Sequence, residues 1–141
     1  MWRKIKLAKP DAPKEAYVTI GNGQIHFGIG ACKMMPECLD MTHVEFFRCE
    51  DENLIGVHVT NEETEDSIPM QRPASQAIKK KKNHVQSFNV ASKRAMEKVF
   101  GAVGINPDSI KCKVTVDEDS HDMFIIDMTT ARPAKRKDDE V

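Results

Sequence analysis

Four consecutive lysines, Lys79, Lys80, Lys81 and Lys82, precede Asn83, with Lys93, Arg94 and Lys98 close behind. Residues 79–98 hold seven Lys/Arg against Glu97 alone, in a chain whose formal net charge is −1. Ammonium groups on a turn follow phosphate by charge, releasing counterions without reading sequence. Reading bases takes Arg, Asn or Gln held at a groove, and Arg94, Asn83 and Gln86 are the local candidates. A solubilising turn and a solvated helix face would have the same composition, so a plainer reading stands beside the polyanion one. The stretch from Met1 to Lys14 adds Arg3, Lys4, Lys6 and Lys9, with Pro10 and Pro13 favouring an extended arm that Trp2 could dock.

Other residues that could do chemistry give weaker signals. Cys32, Cys38, His43 and Cys49 are separated by five, four and five residues, wider than the Cys-x2–4-Cys pairs of structural zinc sites. The acidic runs Glu50-Asp51-Glu52 and Asp117-Glu118-Asp119 lack the glycine and ligand spacing of a calcium loop. The histidines are scattered, and neither a nucleophile elbow nor a phosphate loop is present. The expectation is a non-enzymatic protein without metal or cofactor. Four cysteines without a secretion signal are expected as free thiols in a reducing cytoplasm. No apolar run approaches the ~20 residues of a membrane helix.

The elements that must position these residues follow from periodicity. Of 141 residues, 40% are apolar and 6% aromatic, so one small domain built on Val, Ile, Met and a few Phe is expected. Tyr17-Val18-Thr19-Ile20 and Gln24 to Phe27 read as strands around Gly21-Asn22-Gly23, a hairpin turn signal. Gly28 to Met35 reads as a short helix stopped by Pro36. Thr42–Cys49 and Leu54–Thr60 read as a hairpin by alternation. Residues 61–75, acidic and proline-bearing, read as a solvated connector. Beyond it, Gln76 begins a strand, the lysines fill a turn, and His84 to Phe88 returns. Asn89 is expected to cap a helix whose buried face is Met96, Val99, Phe100 and Val103, ending at Gly104. Ile110 to Val116 and Phe124 to Met128 alternate as a second hairpin. Residues 131–141 read as a disordered charged tail.

The order of residues 16–60 thus recurs in 76–130: strand pair, helix, hairpin with acidic turn. Phe27 matches Phe88 at an offset of 61, and Met35 matches Met96. The expected fold is α+β: a small pseudo-symmetric β-barrel, one shared domain over 16–130 with an extended basic arm at 1–15.

The unit Val18-Thr19-Ile20, Gly21-Asn22-Gly23-Gln24, Ile25-His26-Phe27, helix, and Val44 to Val59 hairpin resembles the AbrB/MazE/SpoVT family of swapped-hairpin barrels. The resemblance implies a tandem duplication acting as a built-in dimer, with further homodimerisation left open. It also implies DNA binding as a transcription regulator or antitoxin. The family places a basic residue at the end of the first turn, where this chain has Gln24, and a proline at the helix start, where it has Gly28 and Asn89. The lysine run of the second copy could supply the missing charge. The expected contact set is therefore Lys79–Lys82, Asn83, Lys93, Arg94, Arg3, Lys4, Lys6 and Gln24. The alternative is a cytoplasmic protein-binding module or inhibitor, antitoxin-like or phage-encoded, acting through its acidic hairpin tips, Glu62 to Asp66 or a sheet edge.

Overall fold

The structure, a computed structural model, describes residues 16–72, 87–120 and 122–134, together with Trp2 and Ile5. Eight strands form one antiparallel sheet: β1 (Ala16–Gly21), β2 (Gln24–Phe27), β3 (His43–Cys49), β4 (Leu54–Thr60), β5 (Ile68–Pro69), β6 (Phe88–Ala91), β7 (Ile110–Val116) and β8 (Met123–Pro133). Their order is β5-β3-β4-β8-β7-β1-β2-β6. The two ends of that order meet where Gln71 and Asn89 exchange backbone hydrogen bonds of 2.7 Å, so the sheet curls into a nearly closed barrel.

Alternation decides what fills it. Val18 and Ile20 on β1, Ile25 and Phe27 on β2, Val57 and Val59 on β4, and Phe124 and Ile126 on β8 are all buried. Phe27 stacks on Phe88 with centroids 4.6 Å apart and planes at 11°, and Phe124 leans on Phe27 at 4.9 Å. Phe27 and Phe88 are also direct cross-strand partners of β2 and β6. Because β1 pairs with β7 and β4 with β8, the two halves of the chain contribute to a single core.

The β1–β2 turn has the expected chemistry. Asn22 and Gly23 take φ of 56° and 78°, the left-handed pair of a two-residue hairpin turn. Their amides bond to the carbonyls of Asn106 and Gly104 at 2.8 and 2.9 Å, which docks the turn on the helical segment.

Helix α1 (Ile29–Met34) runs into a 3-10 turn at Pro36–Asp40. Helix α2 (Lys93–Phe100) buries Met96 and Phe100, and α3 (Ala102–Ile105) follows after Gly101 at φ 69°. Gly104 does not end the helix: it lies inside α3, where a Cβ would clash with the Met96 carbonyl. Nor is Asn89 the helix cap. The Ser92 hydroxyl accepts from Ala95 N at 3.2 Å, whereas Asn89 sits inside β6 and bonds to His26 across the sheet. Long-range pairing with Gln71 and His26 outweighs a local capping preference.

Three further expectations change. The connector is not wholly solvated: Val44 and His43 pair with Ile68 and Pro69, and Ile68 packs on the core. Strand β8 continues to Pro133, taking residues 131–133 out of the tail. Trp2 is fully exposed rather than docked. The strands expected at Gln76–Ile78 and His84–Gln86 lie outside the described residues.

The Phe27–Phe88–Phe124 contact sets a test of the core. Phe88→Ala should cost about 3–5 kcal/mol, as truncated buried phenylalanines do, against a typical total near 5–15 kcal/mol. Phe47→Ala, at a side chain 54% exposed, should change stability by less than about 0.5 kcal/mol. Urea midpoints for the two variants measure the contrast.

Candidate nucleic-acid-binding face

The side chains that alternate outward from the barrel include Tyr17 and Thr19 on β1 and Lys111 and Lys113 on β7. Register brings them together, since Tyr17 faces Lys113 and Thr19 faces Lys111. Lys111 also faces Arg132 on β8. The half-buried Tyr17 ring has the Lys111 Nζ 5.1 Å and the Arg132 Cζ 4.9 Å from its centroid. Both lie within the ~6 Å at which a cation is attracted to a ring face.

Arg132 reaches this place through an irregularity in β8. The register passes from Lys111↔Arg132 to Lys113↔Asp127, so β8 carries extra residues between its two paired stretches. Thr130 closes the bulge: its hydroxyl accepts from Lys113 N at 2.8 Å and donates to the Asp127 carbonyl at 2.6 Å. Thr129 adds bonds from its amide and hydroxyl to the Asp127 carboxylate at 3.0 and 2.6 Å. A bulge of this kind re-aims the side chains beyond it, and here it returns Arg132 to the ladder opposite Lys111.

Pairing extends the site across the sheet. Arg132, Lys111, Thr19, His26, Asn89 and Gln71 are successive register partners on β8, β7, β1, β2, β6 and the residue after β5–Met70. This transverse row contains no carboxylate. The His26 ring Nδ1 and the Asn89 Oδ1 hydrogen-bond within it. The row ends at the Gln71–Asn89 bridge, which pins together the two flanks of residues 73–86.

Of the residues expected from the sequence to form the site, the structure brings Gln24 and Lys93 to the same turn. Gln24 follows Gly23, whose carbonyl accepts from Ser92 N at 3.0 Å, and a Cβ on Gly23 would lie 3.4 Å from Lys93 Cγ. Lys93 and Arg94 are exposed on the first turn of α2. Arg3, Lys4, Lys6, Lys79, Lys80, Lys81, Lys82 and Asn83 lie outside the described residues. Sequence reasoning missed Tyr17, Lys111 and Arg132. The alternation of Lys111 and Lys113 with Cys112 and Val114 was the available signal, but strand neighbours are not encoded in it.

Elsewhere, the His58 ring joins β3, β4 and the β7–β8 turn. Its Nε2 lies 2.9 Å from Asp122 Oδ2 and its Nδ1 3.4 Å from Glu45 Oε1, while Thr64 Oγ1 donates to Glu45 at 2.9 Å. Both ring nitrogens are engaged, so the ring clasps β3, β4 and the β7–β8 turn. Beside it, Phe47 stands between shallow pockets of about 490 and 450 Å³. Among the described residues, no group of three or more His, Cys, Asp or Glu is arranged to hold a metal ion. The four cysteines are free thiols.

No family profile, curated protein or solved structure matches the chain.

The bulge makes its own prediction. Thr130→Val keeps the shape but removes two hydrogen bonds, and should cost about 1–3 kcal/mol because the Lys113 amide and the Asp127 carbonyl lose their partner. Amide hydrogen exchange should show Lys113 losing protection while Val18 on β1 keeps it.

Proposed function

We propose that this chain is a non-enzymatic nucleic-acid-binding protein and that the β1–β7–β8 face is its contact surface. The observation that carries this reading is the Tyr17 ring held against Lys111 and Arg132. An aromatic on a sheet surface with cations around it can stack an unpaired base while the cations neutralise adjacent phosphates. Thr19, His26 and Asn89 extend the face with hydrogen-bonding groups. Gln71 and Asn89 stand at one end of the row and Arg132 at the other. A sheet face with a single aromatic fits single-stranded DNA or RNA better than the major groove of a duplex, where bases are already stacked.

The barrel is, in this reading, a tandem duplication of an AbrB-like unit. The strand pairing supports it: β2 pairs with β6 and β4 with β8 across the two copies, and the β3–β4 hairpin has its counterpart in β7–β8. Phe27 facing Phe88 at equivalent places in the two copies supports it as well. The helical pieces correspond too, α1 with its 3-10 turn to α2 with α3. Regulation of transcription would follow from DNA binding by such a barrel. A second reading, a protein-binding module, draws on exposed Phe47 beside acidic Glu45, Asp66 and Asp122.

Fluorescence anisotropy with labelled single strands and duplexes tests the proposal. Lys111→Glu with Arg132→Glu should weaken single-strand binding at low salt and lower the salt slope by about two. Tyr17→Ala should cost about 1–3 kcal/mol with the slope unchanged, the signature of a lost stacking contact. Full loss on replacing Lys79–Lys82 with Glu, with no effect from the Tyr17, Lys111 and Arg132 variants, would move the contact to the lysine run alone. Absence of binding to every nucleic acid at 50 mM salt, roughly the low end of the range where phosphate contacts dominate, would overturn it.

A further inference from the structure

The barrel leaves one length of strand edge open. On one side of β3, β4 pairs with all of His43–Cys49, whereas on the other β5 pairs only with His43 and Val44. The Thr42 carbonyl accepts from Met70 N at 2.8 Å on that second side. Alternate residues of an antiparallel strand bond to opposite neighbours, so Phe46 and Arg48 turn their backbone groups the same way as Thr42 and Val44. Among the described residues no strand meets them there. An open edge of this kind is a template for another extended chain.

A groove of about 490 Å³ lies beside this edge, with α2 as its far wall. Phe46, Ile68, Ala95 and Val99 give it an apolar lining, and the Phe46 ring meets Phe100 edge-on at 6.3 Å. The Arg48 guanidinium donates to the Lys98 and Val99 carbonyls, which ties strand and helix together at one end. Lys98 stands on the α2 side, and the opposite rim is acidic. Asp66 lines the groove, Glu62, Glu63 and Glu65 are exposed on the chain leading to it, and Thr64 bonds to Glu45 at 2.9 Å.

Trp2, Ile5 and Phe47, at 100%, 77% and 54%, are the most exposed large apolar side chains among the described residues. In Trp2-Arg3-Lys4-Ile5-Lys6-Leu7, an extended backbone would set Ile5 and Leu7 on one side and Trp2, Lys4 and Lys6 on the other. That pattern complements the groove: Ile5 and Leu7 suit its lining, the lysines suit its acidic rim, and Trp2 suits Phe47. The stretch enters the barrel at β1, which lies across it from β3, with β4, β8 and β7 between them one way and β5, β6 and β2 the other. A second copy can present the stretch from outside without wrapping half a barrel.

We propose that residues 2–7 of one copy add as a strand to the free β3 edge of a second copy, which returns its own, giving an arm-exchanged homodimer. Each arm supplies backbone partners for Phe46 and Arg48, lays Ile5 and Leu7 into the groove, and sets Trp2 against Phe47. The exchange is reciprocal, so the contact closes on two copies instead of propagating. Because β3 stands across the barrel from β1, the contact is separate from the proposed nucleic-acid face.

Full-length protein is followed from low to high micromolar concentration by light scattering, amide hydrogen exchange and the fluorescence of Trp2, the single tryptophan of the chain. The expected result is a dimer whose formation shifts Trp2 emission to the blue and slows exchange at Phe46 and Arg48 by roughly tenfold or more. Ile5→Glu with Leu7→Glu changes no residue of the barrel, and should give a monomer with unchanged circular dichroism and exposed Trp2. A wild-type chain that stays monomeric throughout would overturn the proposal. So would a dimer that survives in the double variant, or one in which Phe46 and Arg48 exchange as fast as in the monomer. Burial of Trp2 that does not depend on concentration, the sign of docking within one chain, would overturn it as well.

Discussion

The stack of Phe27 on Phe88, with Phe124 against both, is the contact on which the rest of the barrel depends. It joins the two halves of the chain at a cross-strand pair of β2 and β6. With aromatic residues at only 6% of the sequence, three buried rings are a large share of what can fill so small an interior. Ring burial supplies the apolar area; stacking geometry adds about 0.5–1.5 kcal/mol per pair. It also sets register, because a one-residue slip of β6 would turn Phe88 out to solvent and bring Asn89 inside.

The same register builds the outer surface. Once Phe27 and Phe88 point inward as partners, His26 and Asn89 must point outward as partners. The adjoining pairings then carry the row through Thr19 and Lys111 to Arg132. The core and the candidate binding face are thus two sides of one set of strand pairings. The bulge at Thr130 is the local exception, and it is what places a second cation at Tyr17. Charge is sorted by the same geometry: the row has no carboxylate, while Glu45 and Asp122 gather around His58 on another part of the barrel.

At Arg72 core and periphery meet. Its guanidinium lies against the Phe88 ring on one side and bonds carbonyls of the 3-10 turn on the other. Half-burying a guanidinium demands compensation, which two carbonyls and the ring supply in part.

What the sequence determined by itself was local. Alternation located β1, β2, β3, β4, β7 and most of β8, because an inward–outward period of two is written in consecutive residues. Asn22-Gly23 specified its turn through the positive φ both residues tolerate. The lysine run was legible as a charge cluster, and a small α+β barrel as an architecture. What only the tertiary structure decided was which strands are neighbours. That choice made Asn89 a strand residue rather than a cap, drew Ile68 out of an acidic connector, and carried β8 through a bulge to Pro133. It also assembled Tyr17, Lys111 and Arg132 from three strands spread over more than a hundred residues, none of them exceptional in its own neighbourhood. Side-chain period follows from the backbone of one segment; neighbours follow from how all segments together bury three phenylalanines.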